Sequence, residues 1–167
     1  MSAVETNTLI PTGIWTIDPV HTTIGFQVVD TTDLFSTING RFTDFEGRLE
    51  GGDEPKLAGT IRVASLRSDN EQRDAHLTSP DFLGADAYPE IRFESTAVER
   101  LGDDRFLVRG DLTVKETPFP VELQARIRGI GQGKLGDERL VFDAQGSFEW
   151  GTTTVEVTAA VSATKEA

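Results

Sequence analysis

Alternation of apolar and polar residues, renewed in one short run after another from Trp15 onward, most restricts how this chain can fold. In the run TTIGFQVV, Ile24, Phe26 and Val28 alternate with small or polar residues, and the same period returns in each later run. Successive side chains of a strand point to opposite faces of a sheet, so this period of two is typical of half-buried strands. Gly, Asp, Asn and Pro separate the runs, as they do at turns. The sequence therefore predicts an all-β domain of about eight antiparallel strands with short connections.

Two architectures fit this pattern, a sandwich of two sheets and a closed antiparallel barrel. The strand faces that carry the large apolar residues also carry small ones: Gly59, Gly110, Ala125, Gly129, Ala144 and Gly146. Small inward residues leave volume, and eight strands close around a space that holds one small ligand. Glycine also marks strand bends, so a filled sandwich stays open. The pattern favours a barrel with a cavity.

In such a barrel the large inward residues line an apolar tunnel. The predicted lining consists of Phe26, Val28, Phe42, Ile61, Val63, Phe82, Phe93, Val108, Leu112, Leu123 and Phe142. Phe42 and Phe45 fall on opposite parities, which predicts a bulge or bend between them.

The segment 70–88 is the one long interruption of the strand pattern. Ser68 or Asp69, followed by Glu71, predicts the start of a short helix, and Pro80 after a serine predicts a second helical turn. The apolar residues of this segment follow no strand register. We expect the segment to act as a lid that lays Phe82 on the mouth of the barrel.

The same segment carries two cationic side chains in a chain with 16 basic and 28 acidic residues. Arg73 and His76 are therefore the predicted contacts for the polar head group of a ligand, where a phosphate or carboxylate needs compensation. The alternative is a plain plug, with Arg73 paired to Asp69 or Asp74.

Composition excludes several classes of protein. A net charge of −12 and an isoelectric point near 4.5 disfavour binding to nucleic acid and to anionic membrane surfaces. The absence of cysteine removes disulfides, thiolate nucleophiles and cysteine-ligated metals. No hydrolase, nucleotide-binding or zinc motif appears. The sequence predicts no metal and no cofactor.

The two histidines leave an enzyme as a rival interpretation, with His21 or His76 as general base on a small apolar substrate. A metal site at His21 would need help from Asp18 or Asp30. A barrel whose interior is simply filled is a second rival. In each case a structural or hydrogen-bonding role is the simpler interpretation of a lone histidine.

The ends of the chain give expectations about location and domain boundaries. Residues 1–13 lack the positive charge and long apolar core of a signal peptide, and no run approaches the roughly 18 apolar residues of a membrane span. We expect a cytoplasmic protein without stable membrane insertion, able to form a homodimer; a leader ahead of residue 1 would make it periplasmic or secreted instead. A flexible segment 1–13 precedes a single domain at 14–167.

Five ordered motifs resemble the YceI-like family of lipocalin-like polyisoprenoid-binding proteins. They are WTIDPVHTTIGFQV with STINGRFTDFEG, NEQRDAHLTSPDF, YPEIRFEST and GDLTVKETPFPVEL, from about Trp15 to about Leu123. The resemblance implies an eight-stranded antiparallel lipocalin-like barrel whose long pocket holds an isoprenoid or another lipid chain. It implies a non-enzymatic role in lipid binding and transport.

The chain departs from the family pattern at two places. Asp30 stands where members carry a second histidine, nine residues after the first. The stretch GSFEWGTTT before the last strand is short and acidic, where members have a longer basic one. Both departures argue against recognition of a pyrophosphate head group, and they affect binding of the apolar tail less.

Overall fold

In the computed structural model, the structure describes residues 10–30, 36–134, 136–151 and 153–166, with the backbone alone at Asp30 and Ser36. The elements are β1 (Gly13–Ile17), β2 (Thr23–Asp30), β3 (Ser36–Phe42), β4 (Phe45–Gly51), β5 (Lys56–Arg62), β6 (Leu66–Arg67), α1 (Glu71–Leu77), β7 (Glu90–Arg100), β8 (Arg105–Val114), β9 (Thr117–Gln132), β10 (Glu138–Trp150) and β11 (Thr153–Lys165). Single 3-10 turns occupy Pro19–His21 and Val63–Ser65.

These segments form one antiparallel sheet that closes on itself. The hydrogen-bonded order runs β1-β4-β5-β7-β8-β9-β10-β11, and β11 returns to β1. The free half of β11 pairs with β2, which is followed by β3 and β6. The fold is therefore the predicted closed eight-stranded antiparallel barrel with one short helix.

Three of the eight strands are broken into two segments by a corner. Both β1 and β2 pair with β11, so together they form one bent strand. The pairs β3–β4 and β5–β6 bend beside it, because β3 pairs with β2 and β6 while β4 pairs with β1 and β5. The bend predicted between Phe42 and Phe45 is confirmed, since β3 ends at the first and β4 begins at the second.

The N-terminal boundary is described in part. Residues 1–9 lie outside the described part of the chain, so the predicted flexibility of 1–13 stays a prediction for them. Ile10 is buried in the barrel, and Gly13 pairs with Gly51 at the start of β1.

One end of the barrel is solidly packed. Trp15, Leu140 and Ala163 have no exposed surface there, and the Trp15 indole donates a hydrogen bond of 3.1 Å to the carbonyl of Pro11. Phe106, Val108 and Leu49 complete this cluster. A second apolar cluster, around Phe42, Leu66 and Phe148, occupies the opposite half. Each half of the barrel therefore has its own apolar cluster, and the half around Trp15 is the completely filled one.

The predicted role of the glycines is only partly right. A methyl group on Gly110 would lie 2.7 Å from the ring of Phe93, and one on Gly146 would lie 2.9 Å from Leu123. These two glycines make room for neighbouring protein atoms, not for a ligand. Gly129 is exposed, because the register of β9 shifts between Ile127 and Gly129 and moves the inward position to Ile130.

A polar network fixes the corner between β1 and β2. The Asp18 carboxylate lies 2.7 Å from His21 Nδ1 and accepts hydrogen bonds from the Arg139 guanidinium at 3.1 Å and the Val20 amide at 2.9 Å. The His21 hydrogen bond, with smaller contributions from Arg139 and Val20, lowers the pKa of Asp18 to about 2 against the opposing effect of burial. Arg139 also donates to Ser162 Oγ at 3.1 Å. The corner is thus tied to both β10 and β11.

Replacing Asp18 by Asn is expected to destabilise the protein by about 1 kcal/mol at pH 7, because the charged hydrogen bonds are lost at a site that water partly screens. The carboxylate contributes fully above its unfolded pKa of about 4, and its contribution is lost as the pH falls towards about 2. Urea unfolding of both proteins from pH 7 to pH 2 should show the difference shrink at acid pH. Asp53→Asn is the control, because it removes the same charge from an exposed turn. If it lowered the free energy of unfolding as much as Asp18→Asn does, the stabilising role of the Asp18 network would be contradicted.

Gly110→Ala is expected to destabilise the barrel by about 1–3 kcal/mol, since the added methyl group overlaps the Phe93 ring in a packed wall. Gly129→Ala is the matched control, because no atom lies within 4 Å of the position that its methyl group would take. The free energy of unfolding of the control variant should stay within about 0.5 kcal/mol of the parent's. The midpoints of urea unfolding measure both, and equal midpoints for the two variants would contradict the packing argument.

Candidate ligand cavity and its mouth

The half of the barrel opposite the packed end encloses a cavity of about 860 Å³. Its floor is formed where the packed cluster begins, by Leu123, Phe142, Ala144 and Val161. Its walls include inward side chains of β2, β5 and β7 to β11: Ile24, Phe26, Val28, Ile61, Phe93, Leu112, Phe119, Phe148, Val155 and Val157. The cavity is closed below and apolar along its walls.

The cavity exists because the sheet separates at this end. Pairing between β5 and β7 stops at Arg62 and Glu90, and β6 then pairs with β3 alone. One further hydrogen bond of 2.9 Å joins the Val63 amide to the carbonyl of Pro89. Beyond it, the strands before and after the segment 70–88 diverge, and the barrel is wider than a fully paired one.

The segment 70–88, here named the lid, occupies this gap. Asn70, rather than Ser68 or Asp69, caps α1 by accepting a hydrogen bond of 2.9 Å from the amide of Arg73. The predicted second helical turn after Pro80 is absent, and residues 79–83 form turns instead. Leu77, Phe82 and Leu83 of the lid reach the cavity. Phe82 is 41% exposed, so it lies where the cavity meets solvent, as predicted.

Nine residues of the predicted tunnel line this cavity: Phe26, Val28, Phe42, Ile61, Phe82, Phe93, Leu112, Leu123 and Phe142. The prediction was wrong for Val63 and Val108, which are buried at 1% and 5% exposure among other core residues. Val63 starts the 3-10 turn where β5 ends, and Val108 belongs to the packed cluster below the floor. Which of the nine contact a ligand stays a prediction.

The predicted head-group residues lie outside the cavity lining. The Arg73 guanidinium donates to Ser68 Oγ at 2.9 Å and to the carbonyl of Ser68 at 2.6 Å. Asp74 accepts hydrogen bonds from the same serine, so both side chains fasten the lid to the strand before it. His76 is exposed and packs against the Phe82 ring, with 4.8 Å between ring centres.

The basic residue that does line the cavity is Lys115, in the turn between β8 and β9. Its ammonium lies 3.4 Å from the carbonyl of Pro80 and 5.8 Å from the centre of the Tyr88 ring. Asp81 of the lid lines the same mouth. Sequence reasoning missed Lys115 because its position follows from strand pairing, which brings the β8–β9 turn to the lid.

Both histidines, His21 and His76, lie outside the lining of the cavity. The side chain of His21 is 63% exposed on the outer corner. Of the two carboxylates predicted to help His21 hold a metal, Asp18 lies 2.7 Å from its Nδ1, and the side chain of Asp30 lies outside the described part of the chain. Within the described ranges, no group of three or more potential metal ligands occurs. No helix in that part of the chain is long and apolar enough to cross a membrane.

Comparison with known proteins identifies relatives of this chain. A UPF0312 protein of Photorhabdus laumondii is 35% identical over 133 residues, which cover 77% of this chain and 68% of that protein. A UPF0312 protein of Pseudomonas putida is 38% identical over 114 residues, covering 66% of this chain and 59% of its own length. The chain thus matches less than two thirds of the Pseudomonas protein.

Solved structures show the same barrel. The YceI protein of Campylobacter jejuni superposes with a TM-score of 0.71 at 25% identity, covering 83% of this chain and 91% of that one. A polyisoprenoid binding domain from Saccharophagus degradans superposes with a TM-score of 0.66 at 12% identity, covering 91% and 98%. The YceI-like domain matches residues 15–164, nearly the whole described barrel. This chain belongs to the YceI-like family.

Proposed function

We propose that this protein binds one long-chain apolar ligand, of isoprenoid or similar lipid type, and carries or sequesters it without chemical change. The observation that carries the proposal is the apolar cavity of about 860 Å³, closed at its floor and covered by the lid. The same fold serves as a polyisoprenoid binding domain in the Saccharophagus protein, which supports this choice of ligand class.

The size and chemistry of the cavity suit a single lipid chain. Ligand pockets commonly measure about 300–1,000 Å³. At roughly 30 Å³ for each water-sized group, the cavity holds on the order of 30 such groups. An apolar chain gains about 0.8 kcal/mol for each buried methylene, so about ten or more buried carbons give micromolar affinity after the costs of association.

Binding without turnover is the simplest use of this site. A general base must come within hydrogen-bonding reach of the proton that it removes. Both histidines of the chain lie away from the cavity lining, and most of the residues that line the cavity are apolar. These features support a carrier over a barrel enzyme.

The direct experiment is to extract purified protein with organic solvent and to identify released lipids by mass spectrometry. We expect a long-chain lipid with one polar end. Protein that releases no lipid and takes up no apolar probe after extraction would overturn the proposal.

Leu112→Trp is expected to weaken binding of a fluorescent apolar probe at least about tenfold, because the larger side chain fills space that the ligand needs. Thr113→Trp is the matched control, since Thr113 is the next residue of β8 and lies in a groove on the outer surface. Probe titrations measure both affinities, and thermal melts confirm that both variants fold. Equal affinities for the two variants would place the ligand elsewhere.

A further inference from the structure

The polar groups around the cavity are concentrated at its mouth. Glu46, Thr60 and Thr158 also border the cavity, but they occupy the outward positions of β4, β5 and β11. Glu46 and Thr60 border the outer groove as well, and the Glu46 carboxylate pairs with Arg62. A buried polar group without a hydrogen-bonding partner is costly. A ligand body lying among these walls is therefore apolar up to the mouth, where its polar end belongs.

The mouth offers one positive charge. Lys115 is the basic residue among the described residues that line the cavity. The parts of the chain outside the described ranges contain no Lys, Arg or His. An ammonium has three N–H donors, and the contact with the Pro80 carbonyl uses one of them. Lys115 can therefore donate to an acceptor on the ligand.

The surroundings of Lys115 are unfavourable to a phosphate. Asp81 lines the same mouth, Glu116 is the next residue of the turn, and the lid carries four acidic residues against one arginine. That arginine, Arg73, is bonded to Ser68. Arginine side chains and free helix N-termini are two of the groups that commonly bind phosphate, beside lysine. The first turn of α1 instead carries Glu71 and Asp74, with Asn70 as its cap.

Building on the proposed binding function, we propose that the ligand ends in a neutral polar group, a hydroxyl or carbonyl, which accepts a hydrogen bond from Lys115. Phosphate and diphosphate esters of the same chain are excluded by the acidic mouth. The carrier therefore distinguishes free lipid alcohols and carbonyl compounds from their charged esters. Net charge of −12 over the chain acts in the same direction.

The test compares three probes with one 15-carbon isoprenoid chain: the alcohol, the monophosphate and the diphosphate. Competition against a fluorescent apolar probe at low salt is expected to rank the alcohol first, at least about tenfold tighter than the diphosphate. The difference in affinity between the alcohol and the diphosphate should become smaller in high salt, because salt screens surface charge. A diphosphate that binds as tightly as the alcohol would overturn the inference while leaving the apolar cavity in place. If none of the three competes, the proposed function fails and this inference with it.

Three substitutions at two residues of the mouth separate the effects of Asp81 and Lys115. Asp81→Asn is expected to tighten diphosphate binding about threefold or more and to leave the alcohol unchanged, since Asp81 is exposed and repels the anion. Lys115→Met is expected to weaken alcohol binding about tenfold, the loss of one charged hydrogen bond, and Lys115→Arg should restore most of it. Alcohol affinity that is the same in Lys115→Met and the parent would remove Lys115 from the site.

Discussion

The double pairing of β11 is the constraint on which this barrel depends. Along one edge β11 pairs continuously with β10, from Trp150 opposite Thr153 to Arg139 opposite Thr164. Along its other edge it pairs first with β2 and then with β1. Both halves of the bent first strand must therefore register against one continuous partner. The Asp18 network stands where these halves meet, so a few polar contacts at the corner fix the geometry that closes the sheet.

Closure leaves the two ends of the barrel with different interiors. Around β1 every neighbouring strand is paired, and Trp15 with its neighbours fills the enclosed space. Around β2 and β3 the sheet is separated between β6 and β7, and the apolar side chains of this half leave the cavity between them. A filled core stabilises the fold, and a cavity sacrifices packing for space. In this barrel the packed core and the cavity lie at opposite ends. The cavity therefore does not reduce the packing around β1 and β11, where the sheet closes.

Sequence alone predicted the barrel and much of the cavity wall, because strand period and burial follow the same alternation. Phe119, Phe148, Val155 and Val157 were missing from the predicted wall, although the same parity would have identified them. The alternation wrongly predicted an inward position for Gly129, because the register shift between β9 and β10 cannot be recognised from the sequence of one strand. It also gave no information on Lys115, whose place depends on which turn meets the lid. Arg73 and His76 were predicted to contact a ligand head group because the sequence does not show that Ser68 and Phe82 become their partners in the folded protein.

The lid differs from the rest of the wall in how it is held. Strands are joined to their neighbours by continuous ladders. The lid is instead held by the side chains of Arg73 and Asp74 on Ser68, by the contact of Lys115 with the Pro80 carbonyl and by the burial of Leu83. Segments with few such bonds open at a lower free energy than the global unfolding free energy. Under the proposed function, we expect release of a ligand to follow a local opening of the lid that leaves the barrel closed. The time for which a ligand is retained would then depend on the lid contacts, and it could change in evolution without altering the stability of the barrel.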